Sequence, residues 1–143
     1  CSMEGRFCAV DPKSYKFWTP KKVKELAERQ RFLLRSAVSA TKVGGTIVYS
    51  TCTLAPEENE GVIDWILRKE PGVVKVVDIS LNHLDFSPAL RLWGEKQYVQ
   101  EVAKTIRLLP SYYMEGFFVA KLRKLKSNVG KRRMGYNMSH DQG

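Results

Sequence analysis

Cysteine is the residue in this chain best suited to covalent chemistry, and Cys52 occupies the most telling position. It follows the β-branched run Gly44-Gly45-Thr46-Ile47-Val48-Tyr49-Ser50-Thr51 and precedes Thr53 and the acidic stretch Pro56-Glu57-Glu58-Asn59-Glu60. That pattern predicts a strand that delivers a thiol at its carboxyl end shortly before a helix. Ligands of open α/β sheets gather just outside the carboxyl ends of the strands, so Cys52 is a candidate nucleophile. Position alone equally fits a small buried hydrophobe, the commoner fate of an isolated Cys. A second thiol, Cys1, opens the loop Cys1-Ser2-Met3-Glu4-Gly5-Arg6 and can lie at the same sheet edge. The three cysteines include no Cys-x-x-Cys pair and His83 and His140 stand far from them, which argues against a metal site.

Helical spacing positions these thiols. Thr19 is a natural N-cap with Pro20 at the first helical position, and Leu26, Ala27, Gln30, Leu33, Leu34, Ala37 and Val38 then recur at helical spacing over about 20 residues. Gly44 and Gly45 turn the chain into the strand that ends near Cys52. A second helix is expected after Cys52, with Glu57, Glu58 and Glu60 in its first turn complementing the macrodipole and Val62, Ile63, Ile66 and Leu67 as its buried stripe, until Pro71-Gly72 ends it. The start of that helix would supply partial positive charge near Cys52. Residues 73–79 read as a buried strand, 80–110 as an irregular insertion and 116–122 as a last strand. The fold class is α/β, the second half of a Rossmann-like domain with a mixed sheet and an antiparallel edge strand. No glycine-rich phosphate or dinucleotide loop is present.

The chain has 143 residues and a net charge of +9, unevenly placed. Residues 121–143 carry seven basic side chains against Asp141, a net +6 of that total. Such a tail, with Lys131, Arg132 and Arg133 at its centre, either remains a solvated, disordered end or attracts RNA phosphates without reading sequence. Cysteine usage fits a reducing compartment, no apolar stretch is long enough to cross a bilayer, and no secretory signal is present, so the expectation is an intracellular, cytoplasmic protein, nuclear or nucleolar if eukaryotic, without membrane or metal.

Cys1-Ser2-x-Glu4-Gly5, Asp11-Pro12, Trp18-Thr19-Pro20, Gln30-x-x-Leu33-Leu34, the block from Gly44 to Thr53, Glu58-Asn59-Glu60 and Arg107-x-x-Pro110 with Gly116-Phe117-Phe118-Val119-Ala120 together resemble the carboxyl-terminal half of the Nop2/Sun family of RNA cytosine methyltransferases. The resemblance runs from residue 1 to about 122. It implies transfer of a methyl group from S-adenosylmethionine to carbon 5 of a cytosine in ribosomal or transfer RNA. The family's Thr-Cys cysteine, here Cys52, would add to carbon 6 of the ring as nucleophile; the family's other cysteine, here Cys1, would assist product release. The cofactor-binding residues would lie mostly upstream of residue 1, so residues 1–124 would form an incomplete catalytic domain needing the upstream half of the same gene product, and 125–143 a basic tail. Val10 before Asp11-Pro12 and Ser111 after Pro110 depart from the family pattern, and Cys8 matches nothing in it and reads as structural. Two other readings differ in chemistry: a basic RNA-binding module without activity, and a DNA-type enzyme whose nucleophile would be Cys1.

Overall fold

In the computed structural model the described residues are 1–2, 13, 16, 18–81 and 86–128. Helix α1 spans Pro20–Ala40. Thr19 caps it, its hydroxyl accepting from the Lys22 N–H at 3.1 Å, and Pro20 fits the first turn because no partner is needed there for an N–H. Three lysines, Lys21, Lys22 and Lys24, crowd that first turn, where no acidic residue balances them; cations at a helix N-terminus work against the macrodipole. The helix stops at Ala40, earlier than the two glycines suggest, because Thr41 caps it through its backbone N–H and its hydroxyl, both donating to Ala37 O. Gly44 then turns the chain at φ 81°. Gly45 has no room for a side chain, since a Cβ there would stand 2.5 Å from Thr41 Cγ2.

Strand β1 spans Thr46–Thr51, α2 Glu60–Lys69 and β2 Val74–Val77. Three two-residue strands follow, β3 (Ser87–Pro88), β4 (Leu92–Trp93) and β5 (Lys96–Gln97); a 3-10 helix, Gln100–Lys104, leads to β6 (Ile106–Leu108), and β7 spans Phe117–Lys124. The long strand β7 organises the sheet. One edge of it pairs antiparallel with β1, from Thr46 opposite Arg123 to Thr51 opposite Phe118. Its other edge pairs antiparallel with β6 over its first residues and with β2 over its last. Since β1 and β2 both oppose β7, they run in the same direction, and α2 makes the crossover between them. This is the expected α/β arrangement, and every pairing among the described residues is antiparallel. β6, three buried residues, falls inside the stretch expected to be an irregular insertion.

The core forms where Leu34 and Val38 of α1 and Val62, Ile63 and Ile66 of α2 meet Val74, Val76, Phe118, Ala120 and Leu122 of the sheet. Two residues of the expected α1 stripe, Leu33 and Ala37, depart from it and are exposed. Exposed as well are Phe32, next to Leu33, and Val48 of β1. Helical periodicity gives the width of an apolar face but not what covers it.

Phe118 is fully buried. Truncating it to alanine should cost about 3–5 kcal/mol, whereas Leu33→Ala should stay within about 0.5 kcal/mol; urea unfolding of the two variants measures both.

Candidate active site

β1 ends by placing Cys52 beside Cys1, with the two sulfur atoms 2.8 Å apart and both thiols free. Cys1 is held there through its neighbour Ser2. The Ser2 N–H donates to both carboxylate oxygens of Glu58, at 3.1 and 3.2 Å, and the Ser2 hydroxyl makes a very short bond to the same group. A serine has one proton to give, so the Thr53 hydroxyl donates to Ser2 Oγ (2.9 Å) while accepting from the Ala55 N–H (3.1 Å). Gln30 of α1 donates a further hydrogen bond to Glu58, at 2.6 Å. Glu58 thus ties Cys1–Ser2, helix α1 and the turn after Cys52 together.

The next residue fixes Cys52 from both sides. Asn59 accepts from the Thr51 hydroxyl at 2.5 Å and donates to the Thr53 carbonyl at 2.9 Å, so one fully buried amide spans the residues before and after the thiol. Glu60 completes the set. Arg107 of β6 grips it with two bonds of 2.7 and 2.6 Å, gives a third to the Leu54 carbonyl at 3.0 Å, and the Leu90 N–H reaches Glu60 at 3.0 Å. A buried carboxylate is tolerated only with such pairing.

These contacts revise the expected role of the acidic stretch. Helix α2 begins only at Glu60, eight residues beyond Cys52, because residues 55–61 form a turn in which Glu58, Asn59 and Gly61 donate to the carbonyls of Ala55 and Pro56. Glu58 and Glu60 are buried clamps and not solvated first-turn acids. The helix start is therefore displaced from the position beside Cys52 where the sequence pattern put it.

Two tyrosines stand near the same network. Tyr49 donates to the Glu58 carbonyl at 2.6 Å, and burial followed by the Glu58 charge holds its phenol far above the ordinary range. Burial, then the charges of Glu60, Glu57 and Asp64, pushes Tyr98 up to about 12, opposed by Arg107.

The chain matches the sequence profile of the 16S rRNA methyltransferase RsmB/F family over residues 7–123. It belongs to that family. Among curated relatives it is 38% identical over 128 residues to the ribosomal RNA small subunit methyltransferase F of Cronobacter sakazakii, covering 89% of this chain and 24% of that protein. It is 39% identical, with the same coverage, to the protein of that name from Escherichia fergusonii. The fold is similar to a methyltransferase homologue of Pyrococcus horikoshii (TM-score 0.67, 33% identity, 83% of this chain and 37% of that one). It is also similar to NSun6 of the same organism, solved with SFG (TM-score 0.64, 34% identity, 82% and 27%). The chain spans about a quarter of the length of the curated relatives it matches.

Within this RsmB/F-family fold a cavity of about 620 Å³ opens beside the thiols. Its walls include Cys1, Cys52, Gln30, Leu33, Tyr49 and Glu115, and it runs along the edge of β1 that faces away from β7. Of the sequence-derived site residues, Cys1 and Cys52 are brought together. Lys131, Arg132 and Arg133 lie outside the described residues, as do Cys8, His83 and His140. Sequence reasoning assigned no role to Ser2, Gln30, Asn59 or Arg107. All four stand inside the family motifs, which was the available signal. Among the described residues no group of three or more His, Cys, Asp or Glu side chains could hold a metal ion, and no helix is long and apolar enough to cross a membrane.

Asn59→Ala removes both partners from a buried hydroxyl and a buried carbonyl, so it should cost about 1–3 kcal/mol, read by thermal or chemical unfolding. Tyr49 and Tyr98 have folded values raised above that of the unfolded chain. Their contribution is complete below about pH 10, the unfolded value, and is lost as pH rises toward the folded ones. The melting temperature should therefore fall above about pH 10, with a shallower alkaline fall in Tyr49→Phe.

Proposed function

We propose that this chain supplies the two-thiol portion of an enzyme that methylates carbon 5 of a cytosine in RNA, Cys52 acting as nucleophile and Cys1 assisting release. The observation that carries the reading is the 2.8 Å approach of two free thiols, whose neighbours Ser2, Thr51 and Thr53 are held by hydrogen bonds to Glu58 and Asn59. Membership of an rRNA methyltransferase family supports it. Carbon 5 of cytosine is a poor nucleophile, and addition of the Cys52 sulfur to carbon 6 converts the ring to an enamine whose carbon 5 can be alkylated. Loss of the carbon 5 proton and cleavage of the bond between sulfur and carbon 6 then restore the aromatic ring and the free thiol. Cys1, beside that sulfur, is placed to assist this departure. The target base must leave its stack to reach the thiols, which favours single-stranded or loop RNA.

S-adenosylmethionine would supply the electrophilic methyl group. The described walls of the cavity fit such a donor incompletely: Glu115 is their single acidic side chain and no glycine-rich turn lies among them. The open edge of β1, with Leu33 and Val48 exposed beside it, supports a further chain segment seated there, and the upstream half of the same gene product is the proposed occupant, bringing most of the cofactor contacts. Residues 1–124 are then the carboxyl-terminal part of the catalytic domain, and the tail with Lys131, Arg132 and Arg133 adds sequence-independent attraction to RNA phosphates.

With the upstream half and S-adenosylmethionine supplied, Cys1→Ala should accumulate a covalent complex with RNA that survives denaturing electrophoresis, and Cys52→Ala should form none. A trapped complex in Cys52→Ala protein would assign the nucleophile elsewhere. Titration calorimetry should detect S-adenosylmethionine binding in the mixture and not with this chain alone.

A further inference from the structure

A second cavity, of about 350 Å³, lies against the turn that follows Cys52. It falls at the small end of the range for ligand pockets, roughly 300–1,000 Å³. Its floor is Leu54, Ala55 and Pro56, and its walls include Trp18, Trp93 and Lys24. The two indoles are 40% and 51% exposed, an unusual state for the largest apolar side chain unless a partner covers it.

Trp93 is held there by several contacts. It sits on the β4–β5 hairpin, opposite Lys96 across a turn in which Gly94 adopts φ 59°. Its indole N–H donates to Glu57 at 3.1 Å, fixing the ring over the Cys52 turn. The hairpin is anchored by α2: buried Asp64 pairs with Lys96 (3.3 Å) and accepts from the Val99 N–H (3.0 Å), while Glu60 holds Leu90 just before it. The insertion therefore carries an aromatic side chain to a defined place beside the active-site turn.

Charge selects the occupant. Lys24 lines the cavity, and Lys21 and Lys22 stand on the same turn of α1, exposed and without an ion pair among the described residues. Their position costs the helix stability, yet it sets cationic groups beside an aromatic pocket. Glu57, the acidic residue of the wall, is engaged by Trp93. Aromatic faces with adjacent lysines fit a nucleotide, the base stacking on indole and the phosphate meeting ammonium groups.

We propose that this cavity receives the base of an unpaired RNA nucleotide neighbouring the target cytosine, with Trp93 as its stacking platform and Lys24 as its phosphate contact. The proposal rests on the RNA methyltransferase reading and adds a subsite to it. Such stacking holds the strand open beside the thiols and lets the enzyme weigh the neighbouring base.

The test is binding of single-stranded RNA hexamers containing one cytosine to the 143-residue chain and its variants, followed by fluorescence anisotropy. One hexamer is intact, and two others carry an abasic residue immediately 5′ or 3′ of the cytosine. Trp93→Leu, which keeps apolar volume but removes the ring, should weaken binding of the intact hexamer roughly ten-fold, with Trp93→Phe close to wild type. The Trp93→Leu loss should vanish on one of the abasic hexamers, identifying the side from which the base comes. A Trp93→Leu loss that is the same on all three hexamers, or no loss on any, overturns the subsite and leaves the methyltransferase reading intact. Failure of the wild-type chain to bind the intact hexamer overturns the subsite and removes this chain from RNA recognition. Circular dichroism of each variant confirms that the fold is retained.

Discussion

Three consecutive polar residues, Glu58, Asn59 and Glu60, are removed from solvent altogether, and their need for partners governs the architecture around the thiols. A buried carboxylate or amide without hydrogen bonds costs several kcal/mol or changes its protonation, so each of the three draws a different part of the chain toward it. Glu58 takes Ser2 and α1, Asn59 takes both flanks of Cys52, and Glu60 takes β6 and the insertion. A turn that would otherwise be an ordinary strand-to-helix connection becomes the hub of the site.

The sheet provides the rigid half of this arrangement. β7 is paired on both edges, and Phe118, fully buried, stands opposite Thr51, the residue before Cys52. Arg107 lies opposite Phe118 on the other side, which explains how an arginine on a three-residue strand can reach both Glu60 and the Leu54 carbonyl. The ion pair is buried, and such pairs confer position more dependably than stability.

Charge is arranged in two layers with different purposes. Inside, Glu58, Glu60 and Asp64 are matched by specific donors and leave little field at the surface. Outside, lysines gather at the start of α1, whose first turn holds no acidic residue, an arrangement that favours polyanions through counterion release.

Local rules made much of this protein readable from its sequence. The cap at Thr19 and Pro20, the strand leading to Cys52 and the apolar stripe of α2 all follow from short-range patterns, whereas the meeting of Cys1 with Cys52 was implied by the family resemblance. What the sequence alone left open needed distant residues. Whether Glu58 and Glu60 served a helix end or a buried network depended on Ser2, Gln30 and Arg107, separated from them by tens of residues, because an acidic side chain reads the same in solvent and in an ion pair until its partner is known. Leu33 belonged to an apolar face by period, yet only the placement of β1 showed that the face continues past the core to an open edge. Register across β7 and the descent of the insertion onto the Cys52 turn were likewise tertiary decisions, since hydrogen-bond satisfaction of buried groups is settled only when the whole chain has found its place.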